Sequence, residues 1–160
     1  MKIETTSKVQ YDAKDFSVRE LNTMCEDGEL FLNPDYQRNF VMDIKKCSLL
    51  VESLLLDIPI PVIYLVEEND NTYSVIDGKQ RLTTFISFIR GTFIESSRVF
   101  ALTGLDMLEQ YNGKTFSEMD KAAQLKIKTS TLHTICIKKE SSEDIKFQIF
   151  ERLNTCLLYT

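Results

Sequence analysis

The spacing of apolar residues predicts three helices in the first ninety positions. Ser17-Val18-Arg19-Glu20 matches a capping box, which predicts a short helix that ends at Asp27-Gly28. A second helix is expected from about residue 44 to 56 after a capping Asp43, and a third from about 79 to 90 before Gly91. The second helix is expected to bury Ile44, Cys47, Val51, Leu54 and Leu55, and the third to bury Leu82, Phe85, Ile86 and Ile89.

Short apolar runs predict the strands of a small sheet. Residues 62–66 are almost wholly apolar, as in a central strand, and the polar stretch 67–71 predicts a hairpin that returns as strand 72–76. Residues 30–32 and 132–138 read as two further strands. The sequence Ile58-Pro59-Ile60-Pro61 forbids helix and predicts an extended entry to the first of these strands.

The rest of the chain completes a single domain over residues 1–160. Residues 92–113 predict a loop region with one short element, and Ser117 is expected to cap a helix that runs to about residue 128. Ser142 is expected to open a last helix through residue 154, with Ile145, Ile149, Phe150 and Leu153 facing inward. These elements predict an α+β (mixed α/β) domain, in which helices flank a small mixed sheet.

Composition and charge argue against a membrane protein, a zinc protein and a domain that binds DNA directly. No apolar run approaches the roughly 20 residues that span a bilayer, and the first residues lack the apolar stretch of a signal peptide, so a cytoplasmic protein without a membrane partner is expected. Lys and Arg total 19 against 24 Asp and Glu, which leaves a net charge of −5 and argues against direct DNA binding. Scattered cysteines predict reduced, mostly buried thiols at Cys25, Cys47 and Cys136 and no zinc site.

The most informative local feature is the predicted strand–turn–helix junction at Asp77-Gly78-Lys79-Gln80-Arg81. A helix start offers unpaired N–H groups to an anion, and Gly78 lets the backbone approach a phosphate closely. Lys79 and Arg81 add cations, Gln80 can orient a water, and Asp77 can hold Mg²⁺ or accept a proton. In the simpler interpretation Asp77 only caps the helix, with solvated side chains after it.

Two further clusters are weaker on their own. In residues 33–38, Tyr36 could pack on a base while Arg38 contacts phosphate or a carboxylate. Alternatively, the loop could simply be docked on the core by its tyrosine, with Arg38 paired to Asp35 or Asp43. In residues 150–154 the charged positions fit an ordinary solvated helix face. His133 is interpreted as a structural histidine, and nothing in the spacing of Asp106, Glu109 and Glu118 favours a metal site.

The three clusters, in this order, resemble the GmrSD-type restriction endonuclease N-terminal domain family, whose hallmark is a D-G-Q-Q-R motif. The likeness covers about residues 30–155, most of the chain, and its matching stretches are 33–38, 50–61, 75–84 and 149–155. Each motif alone is weak, and the ordered set is specific. The resemblance implies a ParB/sulfiredoxin-like nucleotide-binding fold. It also implies nucleoside triphosphate binding and hydrolysis that license a nuclease in the same or a partner protein of a restriction or phage-defence system.

The resemblance also implies roles for individual residues. Asp77, Gly78, Gln80 and Arg81 match the central motif, and Lys79 replaces its first glutamine. Asp77, Gln80 and Arg81 would be catalytic, with Asp77 also touching the Mg²⁺ of the nucleotide. The nucleotide-binding set would be Tyr36, Gln37, Arg38, Gly78, Lys79, Arg152 and Asn154. No cysteine stands in the phosphate-loop motif, so a sulfiredoxin-type reductase is not expected.

Two alternatives to a nucleotide-hydrolysing regulatory domain stay open at this point. After residue 155 the family usually continues with glycines and a further helical region, whereas this chain ends in Cys156-Leu157-Leu158-Tyr159-Thr160, which predicts a truncated domain. The first alternative is therefore an interaction domain that has lost its chemistry. The second is a metal-dependent nuclease or DNA-recognition module with Asp77 as a ligand, although such nucleases bring several carboxylates to their metal.

Overall fold

The computed structural model describes residues 8–32, 43–69 and 71–157, with the side chains of residues 154, 156 and 157 outside this description. The strands are β1 (Tyr11–Ser17), β2 (Leu30–Phe31), β3 (Ile63–Asn69), β4 (Thr72–Asp77) and β5 (Thr131–Ile137). The helices are α1 (Val18–Glu26), α2 (Ile44–Leu55), α3 (Lys79–Arg90), α4 (Lys121–Thr129) and α5 (Glu143–Leu157). Two 3₁₀ turns, Glu109–Tyr111 and Phe116–Glu118, lie between α3 and α4.

The five strands form one mixed sheet in the order β1-β5-β3-β4-β2. β1 is antiparallel to β5 and β3 is antiparallel to β4, whereas β5 runs parallel to β3 and β2 runs parallel to β4. With five helices packed around this sheet, the predicted α+β class is confirmed.

The register of the central strands brings the start of β3, the end of β4 and the start of β5 to one end of the sheet. Tyr64, near the start of β3, pairs with Asp77 at the end of β4. Ile63 pairs on its other side with Thr134, near the start of β5. The segment before β3, the residues after β4 and the first residues of β5 are therefore neighbours. The candidate site lies at this end of the sheet.

The core is divided between the two faces of the sheet. The main cluster contains Leu65 and Val75 together with buried residues of α1, α2, α3 and α4. A small second cluster contains Val66, Ile76 and Ile137, against which α5 packs. Sequence neighbours on a strand fall into different clusters because their side chains point to opposite faces.

The helix ends of α1, α2 and α3 agree with the sequence prediction. Ser17 and Glu20 form the predicted capping box, the side chain of Asp43 accepts from the first turn of α2, and Gly91 ends α3 in the left-handed conformation. On the other hand, Ile44 is not buried: it is 38% exposed because it lies in the first turn of α2, ahead of the buried Cys47.

Other elements differ from what the sequence predicted. β1 was not predicted, because its mostly exposed sequence lacks the alternation of a half-buried strand. The hairpin loop is shorter than expected, since β3 continues to Asn69. The cap of α4 is Asp120, which accepts from the Ala123 N–H at 3.1 Å, whereas Ser117 lies inside a 3₁₀ turn that Thr115 caps.

Candidate functional site

The turn between β4 and α3 is made by Gly78. Its φ of 95° and ψ of 12° are left-handed, and it is the N-cap of α3 without a side-chain cap hydrogen bond. Asp77 is the last residue of β4 and does not cap the helix, so the N-cap role that the simpler interpretation gave it is wrong. A left-handed residue at this point suits glycine, because other residues pay a steric cost there.

Gly78 is also closely packed. A β-carbon at this position would lie 2.9 Å from Ile63 Cγ1 and 3.0 Å from Arg81 Nη2. The backbone of the turn therefore touches the first residue of β3, while the guanidinium of Arg81 lies beside it. A larger residue at this position would force Ile63 or Arg81 to shift.

Arg81 joins the helix start to the segment before β3. Its Nη2 donates to the carbonyl oxygen of Val62 at 3.0 Å and lies 3.8 Å from Asp77 Oδ2. Its Nε is buried and has no hydrogen-bond partner within the described residues. A buried donor without a partner is uncommon in proteins. Arg81 therefore has hydrogen-bonding capacity that its protein contacts do not use.

The ion pair between Asp77 and Arg81 is largely shielded from water, with side chains 15% and 18% exposed. Burial raises the pKa of Asp77, and this effect outweighs the opposing effects of Arg81 and the Gly78 N–H. Burial also lowers the pKa of Arg81, against the charge of Asp77. Burial therefore destabilises the charged form of Asp77, which makes it a better proton acceptor than an exposed aspartate.

The first turn of α3 offers its backbone N–H groups. The first hydrogen bond of the helix is Leu82 N–H to the Gly78 carbonyl, at 3.0 Å. Gly78 has no side chain that could cap this end, so within the described part of the chain the amides of Lys79, Gln80 and Arg81 remain for another acceptor. Together with the helix dipole, these N–H groups favour an anion at this point.

Lys79 and Gln80 occupy different environments. Lys79 is only 7% exposed, and its Nζ lies 4.0 Å from Glu95 Oε1. Glu95 reaches Lys79 because the segment after α3 folds back along the helix, where the Ile94 N–H donates to Ser87 Oγ at 3.2 Å. Gln80 is exposed. The structure therefore brings Asp77, Gly78 and Arg81 together, with Lys79 packed beside them and Gln80 on the outer surface.

The other predicted site residues are only partly described. Tyr36, Gln37 and Arg38 lie outside the described residues, as does the side chain of Asn154. Arg152 is exposed on α5, whose Phe150 packs on the cluster that contains Ile76, the neighbour of Asp77. The predicted role of these residues stays a prediction.

Sequence reasoning missed three contacts of the site: Val62, Ile63 and Glu95. The extended segment before β3 was predicted, but nothing in its pattern indicated that the Val62 carbonyl accepts from Arg81. Glu95 gave no signal at all, since its approach to Lys79 depends on how the segment after α3 folds back.

Other candidate chemistry is structural in the part of the chain that is described. The Nδ1 of His133 lies 2.7 Å from Asp15 Oδ1 on exposed faces of β5 and β1, which fits the structural role predicted for this histidine. Cys47 and Cys136 are buried thiols, and Cys25 is half-buried. Within the described ranges, no group of three or more His, Cys, Asp and Glu residues is arranged to hold a metal ion, Asp106, Glu109 and Glu118 included.

None of the helices described is both long and apolar enough to cross a membrane.

The comparison with known proteins places the chain in a family. No curated protein and no solved structure matches the chain. The family model described as "GmrSD restriction endonuclease, N-terminal domain" matches residues 19–156, which include the junction at Asp77–Arg81 and almost all the described elements. The chain belongs to the GmrSD restriction endonuclease N-terminal domain family.

Proposed function

We propose that this domain binds a nucleoside triphosphate at the start of α3 and hydrolyses it, as a regulatory part of a restriction or phage-defence system. One observation carries the proposal: the uncapped helix start at Gly78 lies beside Arg81, whose buried Nε has no partner within the described residues. N–H donors and a guanidinium at one point are the groups that bind phosphate oxygens. The family match supports a restriction system and leaves the ligand to be tested.

The residues present fit the phosphates of such a ligand. Ile63 and Arg81 take up the space of the missing Gly78 side chain, so a phosphate oxygen would be held by the first-turn amides and the Arg81 guanidinium. The carboxylate of Asp77 lies beside Arg81, and it would hold the Mg²⁺ that accompanies a nucleotide. Mg²⁺ would neutralise charge that develops on the phosphate oxygens.

The chemistry of hydrolysis would depend on three side chains. Arg81 would stabilise the negative charge of the reacting phosphate, and the exposed Gln80 would orient the attacking water. Asp77, with its raised pKa, would accept the proton of that water when it does not hold the metal. Lys79 would add positive charge from the side, and Glu95, 4.0 Å from its Nζ, offsets part of that charge. Arg38, Tyr36, Gln37, Arg152 and Asn154 complete the proposed nucleotide contacts.

The regulatory part of the proposal concerns a nuclease in the same protein or in a partner. Nucleotide binding or hydrolysis would license that nuclease, and this domain would contact DNA only indirectly. The net charge of −5 supports this division, because a domain that binds DNA directly normally carries a basic surface.

A thermal-shift panel tests the binding step. The four nucleoside triphosphates with Mg²⁺ are added to the wild type, to Arg81→Ala and to the control Arg90→Ala, an exposed arginine at the other end of α3. A ligand at 100 times its Kd stabilises the folded state by about 2.7 kcal/mol, which corresponds to a rise in Tm of roughly 5 to 10 °C for a domain of this size. We expect that rise in the wild type and in Arg90→Ala, but not in Arg81→Ala.

The nucleotide-dependent rise is compared within each variant, because Arg81→Ala also removes the hydrogen bond to Val62 and lowers Tm without ligand. A full rise in Arg81→Ala would contradict the proposed site. The absence of a rise with every nucleotide, together with a stable partner in a pull-down, would support the interaction-domain alternative. Plasmid cleavage that Asp77→Ala abolishes would support the nuclease alternative.

A further inference from the structure

A groove of about 450 Å³ opens at the same end of the sheet as Gly78. Its walls come from the end of α2, the end of α4 and the start of β5, through Leu54, Lys126 and Thr131. Pro59 and Ile60, from the segment before β3, also line it. This volume lies within the range of about 300–1,000 Å³ that is usual for small-molecule sites.

The groove is connected to the anion site through the backbone before β3. Ile60 lines the groove, and Val62, two residues later, accepts the hydrogen bond from Arg81. Two residues of extended chain span about 7 Å. On the neighbouring strand, His133 lines the groove, and the next residue, Thr134, pairs with Ile63, which packs against Gly78. The start of β5 lies two strands from the end of β4, which is roughly 10 Å, so the nucleoside end of a nucleotide whose phosphates lie at Gly78 would extend toward the groove.

The lining of the groove combines an apolar surface with polar groups at its rim. Ile58, Pro59 and Ile60 supply the apolar side. At the rim, Lys126 Nζ forms an ion pair with Asp57 Oδ1, and the side chain of Asp57 is 75% exposed. A nucleoside has a flat base, whose faces pack on apolar surfaces, and hydroxyl groups on its ribose. These two parts match the two kinds of surface.

Asp57 is held in place by the way α2 ends. Its φ is 58°, in the left-handed region, and it follows the C-cap Leu56. The Ile58 N–H donates to the Ser53 carbonyl at 2.9 Å and the Asp57 N–H to the Leu54 carbonyl at 3.4 Å, which is the Schellman pattern. These hydrogen bonds fix the backbone of Asp57 at the groove, and the ion pair with Lys126 holds its carboxylate there.

We propose that this groove is the nucleoside subsite of the nucleotide whose phosphates bind at Gly78 and Arg81. The base packs on Ile58 and Ile60, and the carboxylate of Asp57 accepts hydrogen bonds from the ribose hydroxyls. The inference rests on the proposed function, because it needs a nucleotide at the start of α3.

The experiment compares a nucleotide with inorganic tripolyphosphate, which has the phosphates but no nucleoside. Kd values for both, with Mg²⁺, are measured by calorimetry on the full chain. Asp57→Gly removes the carboxylate and keeps a residue suited to a positive φ, and Thr131→Phe narrows the groove from an exposed position. The matched control is Asn71→Gly, another exposed residue with a positive φ, 63°, which does not line the groove.

We expect the wild type to bind the nucleoside triphosphate more tightly than tripolyphosphate. Asp57→Gly should weaken nucleotide binding about tenfold, the size of one lost hydrogen bond to a charged group. Thr131→Phe should weaken it because the narrower groove excludes the nucleoside, and both variants should leave tripolyphosphate binding unchanged. Asn71→Gly should change neither Kd, and Arg81→Ala should weaken both.

Equal affinity of the wild type for the two ligands would overturn the nucleoside subsite while leaving the phosphate site intact. So would groove variants that bind the nucleotide like the wild type, or that lose affinity for both ligands equally. Failure of the wild type to bind either ligand would overturn the proposed function itself, and the subsite with it.

Discussion

At the scale of single residues, the site depends on the absence of a side chain. Gly78 has a positive φ, and its Cα faces Ile63 on one side and the Arg81 guanidinium on the other. Gly28 also has a positive φ, 74°, but a β-carbon there would meet no atom within 4 Å. Both positions therefore favour glycine because φ is positive. At Gly78, unlike at Gly28, a β-carbon would also come too close to neighbouring atoms.

This difference predicts different costs for two alanine substitutions. Gly28→Ala should lower the free energy of unfolding by about 1 kcal/mol, the usual cost of a positive φ. Gly78→Ala should lower it by about 2–4 kcal/mol, because Ile63 and Arg81 must also move. Urea denaturation of the two variants and the wild type measures both values. Equal costs would show that the contacts around Gly78 relax freely.

At the scale of elements, the helix ends show how one geometry is reached with different residues. α1 ends with Gly28 in a Schellman pattern, in which the Glu29 N–H donates to the Met24 carbonyl at 2.8 Å. α2 ends in the same pattern, but the left-handed position is taken by Asp57. Since an aspartate tolerates this conformation less well than glycine, α2 keeps a strained end.

The strained end of α2 predicts an unusual order of stability for two variants. Asp57→Gly should be more stable than Asp57→Ala by about 1 kcal/mol, although glycine usually destabilises a chain relative to alanine. Both variants lose the ion pair with Lys126, so their difference reports on the backbone alone. Thermal unfolding measures it, with the same pair of substitutions at Asp27 as the control, because φ there is −84°. If alanine is the more stable variant at residue 57, Asp57 is not strained.

At the scale of the whole molecule, the two faces of the sheet are unequally covered. α3 lies in the main core, where Leu82, Phe85 and Ile86 are fully buried. Within the described residues, α5 packs on a cluster of three buried side chains, and its own Phe147 is 60% exposed. Burial of apolar area is the chief stabilising contribution to folding, so α5 is held by less of it than α3.

This asymmetry predicts uneven hydrogen exchange. Backbone amides in the middle of α5 should exchange at least tenfold faster than those in the middle of α3, because local opening of α5 exposes less apolar surface. Mass spectrometry of peptides from the two helices measures the rates under native conditions. Equal protection of the two helices would mean that α5 opens only when the whole domain unfolds.

The sequence by itself determined the elements whose signals are local. Apolar residues at helical spacing, with Ser17 and Asp43 as caps and Gly91 as a stop, predicted α1, α2 and α3 because capping and helix periodicity involve residues a few positions apart. The junction at Gly78 was located for the same reason, and the ordered motifs were sufficient to recognise the family.

Only the tertiary structure decided which distant groups meet. The polar strand β1 is a strand because β5 supplies its hydrogen-bond partners, and no pattern within its own seven residues shows this. Likewise, Arg81 is tied to Val62, and Lys79 is close to Glu95, through packing that joins separate parts of the chain. Local sequence specifies local backbone geometry, but contacts over long separations depend on how all the elements pack together.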